Sequence, residues 1–175
     1  MVIFASLGGP AAAQTRAAAV ETARVVAGSR TSCLALLTDA EVATAVGRND
    51  AAGRMTESTP GSSQCRWEWP DADSSVTAIF ADENAIRTGA AVTKCCPNGS
   101  VSAVAQFFEH SVKLEQDLGS DLPVPLSGIG QRAALFFDDA FLKLIVQTSD
   151  GVAQLIVVHV TREQLLALAR AMVQP

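Results

Sequence analysis

Two hydrophobic periods organise this chain. Cys65, Trp67 and Trp69 alternate with Arg66 and Glu68, the period-two pattern of a strand with one buried face. A turn over residues 70–75 and a second strand over 76–81 complete a hairpin. Three more strands are expected over residues 131–137, 141–148 and 152–160, with Asp138-Asp139-Ala140 and Ser149-Asp150-Gly151 as the turns between them. Elsewhere the period is helical. Thr38-x-x-Glu41 is a capping box, in which hydroxyl and carboxylate each satisfy a backbone N–H at a helix start, and Val42, Ala45 and Val46 follow at helical spacing. Gly47 supplies the stop, and Leu34, Leu36 and Leu37 face the core just ahead of the cap. Thr161-x-x-Gln164 repeats the device before Leu165, Leu168, Ala169 and Met172. Between these two, a helix over 101–118 places Val101, Val104, Ala105, Phe108 and Val112 on one face and ends at Gly119.

Segments without a period read as connections. Residues 48–64 are rich in Gly, Ser, Thr, Pro and charge and predict a long polar loop. Residues 82–93 predict a short helix around 85–91, Cys95-Cys96-Pro97-Asn98-Gly99 a turn, and residues 122–130 a Pro- and Gly-rich crossing. Strands joined by tight turns must be antiparallel, because parallel neighbours need long crossovers. The expected fold is therefore α+β: an antiparallel sheet of about five strands with helices packed on its faces, formed by residues 31–175 as one domain.

Composition adds limits. The chain has 175 residues, 49% hydrophobic and 18% charged, which is enough apolar material for a folded core. Its net charge is −5 and its 13 Lys and Arg are scattered, so a phosphate-tracking, nucleic-acid-binding surface is not expected. No internal apolar run approaches the roughly 20 residues of a membrane span. Any link to a membrane would run through a partner.

The N-terminus points to export. Met1 to Leu7 is apolar, Gly8-Gly9-Pro10 breaks the run, and small Ala11 and Ala13 precede Gln14 as at a signal-peptidase site. No Lys or Arg precedes Arg16, which leaves either a weak signal or a true start upstream of Met1. Residues 1–13 are thus expected to be a signal-peptide remnant and 14–30 an Ala-rich tether or loose helix. The implied location is periplasmic or secreted.

In such a compartment the four cysteines allow three full pairings. The favoured bridge is Cys33–Cys65, joining the first helix to the first strand; closing a loop of about 33 residues contributes an idealised ~3–4 kcal/mol. Cys95 and Cys96, being adjacent, can form a vicinal disulfide, stay reduced or pair elsewhere. Only Lys94 is a cation beside them in sequence, and there is no Cys-x-x-Cys spacing. Two adjacent thiols do not build a tetrahedral metal site without further ligands, so no metal and no cofactor is expected. Other chemistry finds no anchor. There is no Gly-x-Ser-x-Gly elbow, Gly128-Ile129-Gly130 lacks the third glycine and the helix of a dinucleotide site, and Asp138-Asp139 reads as a turn. His110 falls on a solvent-facing helix position and His159 at a strand end. Trp67 and Trp69 either pack beneath a helix or line an apolar groove as ligand-binding residues.

The ordered motifs carry a resemblance. Cys33-x-Ala35-Leu36-Leu37-Thr38-x-Ala40-Glu41-Val42, then Gly47 and Cys65-x-Trp67, resemble small exported domain-of-unknown-function families found among bacterial lipoproteins and secreted proteins, notably in actinobacteria. Leu126 to Gly130 with Ala133, and the closing helix from Glu163 to Ala169, look like the same families' turn, hairpin and last helix, and are similar to the α/β/α sandwich of PsbP-like domains. The chain departs from them in having no lipobox cysteine and in carrying Cys95-Cys96. The resemblance implies a fold and an exported location, and no catalytic residues. The expected function is a non-enzymatic exported domain that binds a partner protein or a small apolar ligand. Two alternatives stand beside it: a thiol-redox enzyme or sensor using Cys95 and Cys96, and a structural accessory of a cell-envelope complex.

Overall fold

In the computed structural model, which describes residues 33–50, 53–69, 73–89 and 102–173, local signals and long-range pairing agree. The chain opens with a short helix α1 (Cys33–Leu36) and α2 (Asp39–Val46). The predicted capping box is formed: Glu41 N donates to Thr38 Oγ1, and Thr38 N donates to Glu41 Oε2 at 2.8 Å. Three strands follow, β1 (Arg54–Thr59), β2 (Ser62–Glu68) and β3 (Ser75–Asp82), then helices α3 (Glu83–Thr88) and α4 (Ala103–Asp117). Strands β4 (Val124–Leu126), β5 (Arg132–Phe137), β6 (Leu142–Gln147) and β7 (Gly151–Val158) lead to α5 (Arg162–Val173). The second capping box opens α5, with Gln164 N donating to Thr161 Oγ1 and Thr161 N to Gln164 Oε1.

All seven strands form one antiparallel sheet in the order β1-β2-β3-β7-β6-β5-β4. Each half is a meander, and the two meet where β3 pairs with β7 from Ser75↔Val158 to Asp82↔Gly151. The sheet is thus larger than the five strands expected, for two local reasons. β1 falls in the expected polar loop; all six of its residues are exposed, so it shows no apolar alternation. It is drawn into the sheet by the Pro60-Gly61 turn, which joins Thr59 to its partner Ser62. Gly61 has φ 77°, and a Cβ there would strike the Asp82 carboxylate, so only glycine fits the turn. β4 falls in the expected Pro- and Gly-rich crossing and spans three residues at the opposite edge, where Pro125 is tolerated. Smaller differences are that α3 starts at Glu83, capped by Asp82, and that β7 ends at Val158. It ends there because His159 takes φ 51° and turns the chain toward α5.

Alternation divides the sheet into two faces. Toward the first point Cys65, Trp67, Val76, Ala78, Phe80, Leu135, Leu144, Val146, Ala153, Leu155 and Val157, which form one buried cluster with residues of α1, α2 and α5. This is the closed face. Toward the second point Ala81, Val152, Ala134, Phe136 and Ile145, packed against Ile86 of α3 and Val104, Phe107 and Phe108 of α4. Helices therefore cover both faces, and the α+β class with an antiparallel sheet is as expected.

Candidate ligand cleft

On the closed face, chemistry gives way to packing. Cys33 and Cys65 form a disulfide with Cα atoms 5.8 Å apart, fastening α1 to β2 as the sequence favoured. Cys33 N also donates to Ser63 Oγ at 2.7 Å. Trp67 is 0% and Trp69 2% exposed, and neither lines a cleft; α1, α2 and α5 seal the face they share. One oxygen of Asp39, at the start of α2, accepts from both Trp67 Nε1 and Gly53 N at 2.8 Å. A Cβ at Gly53 would collide with that indole, so the chain can pass there only as glycine. Beside Trp69, the Arg48 guanidinium lies 5.7 Å from the ring centroid and bonds Asp50, which holds the Asp50 carboxyl below the usual carboxylate range.

The second face is different. α4 lies over β6 and β7 and leaves the sheet toward β2 uncovered, opening a cleft of about 210 Å³ along its flank. Its floor is Ser62 of β2, Ile79 and Ala81 of β3, Val152 and Gln154 of β7, and Lys143 of β6. Its wall is Phe107, Ser111, Leu114 and Glu115, which fall on one stripe of α4. Of the stripe predicted from the sequence, Val104 and Phe108 are buried, Val112 packs half-buried against them and Val101 lies outside the described residues; the packed face also takes in Phe107, Ser111 and Glu115. Two polar residues thus stand on this face.

At the end of this cleft Lys143 Nζ donates to Glu115 Oε1, with side chains 13% and 10% exposed. Taking both charges out of water costs several kcal/mol, which their attraction repays only with good geometry and further hydrogen bonds. Among the described residues no other side-chain hydrogen bond engages either group. Two ammonium donors and the second carboxylate oxygen are therefore left without a side-chain partner among the described residues. The remaining lining is mostly apolar, with Ser62, Ser111 and Gln154 adding hydroxyl and amide groups. This combination, apolar walls with a few convergent polar groups, is the general form of a small-molecule site.

A second depression lies between α2 and α5, lined by Ala40, Glu41, Thr44, Ala45, Ala167 and Ala171. It is shallow and, apart from Glu41, built of small side chains. His110 is half-buried on α4 and His159 is exposed after β7, and neither lines the cleft. Asp138 accepts from Ala140 N within the exposed β5–β6 turn. Among the described residues no group of three or more His, Cys, Asp or Glu side chains is placed to hold a metal ion. Cys95 and Cys96 lie outside the described residues, as do the expected signal remnant and tether. The cleft itself was missed by sequence reading. The available signal was a lysine inside the apolar β6 run and a glutamate on the apolar stripe of α4.

The fold and cleft define a class: an α+β protein whose disulfide-stapled, open antiparallel sheet carries helices on both faces and a small cleft beneath one of them. Compared with family models, with curated proteins and with solved structures, the chain has no match.

Proposed function

We propose that this protein is an exported, non-enzymatic binding domain, a PsbP-like α/β/α sandwich by resemblance, that takes a small and largely apolar ligand in the cleft between α4 and the sheet. The observation that carries this reading is the Lys143–Glu115 pair held at the end of an apolar cleft. An ion pair in that position contributes little to folding, since well-packed apolar residues of the same volume are commonly as stable or more so. Its value lies in orienting a molecule that enters beside it. The Cys33–Cys65 disulfide supports the exported location, because such bridges persist in oxidising compartments. No helix among the described residues is long and apolar enough to cross a membrane.

Amide chemical-shift mapping against a panel of apolar fragments tests the binding reading. Shifts gathered on Ile79, Ser111, Leu114 and Gln154 are expected. Shifts gathered on Ala40, Thr44 and Ala167, or nowhere, would refute it. Export is tested by N-terminal sequencing of the protein recovered from its own host, where a start at Gln14 is expected and an intact Met1 in the cytosolic fraction contradicts the location.

A further inference from the structure

Resting on that reading, we infer that the cleft selects a molecule of about one ring in size whose polar end is neutral and both donates and accepts a hydrogen bond, such as an alcohol or a primary amide. Size comes from the space. A cavity of ~150 Å³ takes a benzene, so the roughly 210 Å³ here have room for one aromatic ring or a short aliphatic chain. The apolar part rests on Ile79, Phe107, Leu114 and Val152.

The end group follows from the charges. Lys143 offers donors and Glu115 offers an acceptor, side by side, and the pair sums to zero. Water entering the cleft can serve both. A ligand that displaces it must return an acceptor to the ammonium and a donor to the carboxylate, or leave one of them buried and unpaired. A carboxylate only accepts, so it serves Lys143 and sets a like charge against Glu115. An ammonium only donates, so it serves Glu115 and opposes Lys143. Neither charge meets a net opposite charge in the lining to offset its own loss of water. A hydroxyl or carboxamide satisfies both partners at once.

The experiment is a titration of the full chain, followed by amide chemical shifts, with four compounds that share one ring: phenethyl alcohol, phenylacetamide, phenylacetate and phenethylamine. The two neutral compounds are expected to bind in the cleft about tenfold or more tighter than either charged one. In Glu115→Gln, where Lys143 is left as the net charge, phenylacetate is expected to overtake phenethylamine by a similar factor. The spectrum of the closed-face residues shows whether that variant is folded, and the wild-type series stands without it. If all four shift the cleft residues with equal affinity, the selection argued here is wrong while the cleft remains a binding site. If the charged compounds bind best, it is equally wrong. If none shifts the cleft, both this inference and the binding reading fail.

Discussion

The two faces of the sheet are built from alternate residues of the same strands, yet they do different work. On β7, Val152, Gln154 and Ile156 point one way, and Ala153, Leu155 and Val157 the other. The closed face meets three helices, is stapled by Cys33–Cys65 and binds Trp67 to Asp39 and Cys33 to Ser63 by hydrogen bonds. The cleft face meets only α3 and α4 among the described helices, leaves part of the sheet open and keeps a charged pair nearly buried beside the opening. The lesson is that burial alone does not mark a site. The buried tryptophans, Trp67 and Trp69, are structural, while a pair of ordinary charges 28 residues apart marks the cleft.

Breaking the closed face should have the largest effect. Trp67→Ala removes a fully buried indole and its bond to Asp39, and is expected to cost about 3–5 kcal/mol in urea unfolding. A loss below about 1 kcal/mol would mean that the face is not the stable one. Next comes the staple. Cys65→Ser should cost roughly 3–4 kcal/mol under oxidising conditions and much less when wild type and variant are both reduced. Equal losses in the two conditions would assign that cysteine to packing.

The cleft pair sharpens the comparison by its sign. Lys143→Met leaves Glu115 in place without its partner and should cost about 2–4 kcal/mol, toward the lower end because the cleft admits water. Adding Glu115→Leu should then recover most of the loss, since the apolar pair fills the same space without a charge to desolvate. Failure of the second change to rescue the first would mean that the pair is needed for folding and is not kept to orient a ligand.

Much of this fold was legible in the sequence because its signals are local. The two capping boxes, the Cys65-Trp67-Trp69 alternation and the turns around Asp138 and Asp150 each lie within a few residues and appear where they were read. The staple was also legible, as the pairing expected of two cysteines on neighbouring elements in an oxidising compartment. The edge strands were not. β1 is exposed on every residue, so its membership rests on backbone pairing with β2, which leaves no trace in side-chain pattern. β4 is three residues long with a central proline. The cleft was illegible for a different reason. Lys143 and Glu115 each look like a surface charge, and only the placement of α4 over β6 brings them together.

Neighbouring residues on β7 give the most direct measurement of the division between the faces. Ala153 is fully buried between Phe80 and Val146 on the closed face, and Gln154 is part of the cleft floor. The measurement is urea unfolding of Ala153→Leu and Gln154→Trp side by side, with the phenylacetamide titration repeated on each. The first should lose about 1–3 kcal/mol by overpacking and keep its cleft shifts. The second puts an indole into the open cleft, so it should stay within about 0.5 kcal/mol of wild type and lose them. Equal losses of stability, or cleft shifts that survive in Gln154→Trp, would contradict the account.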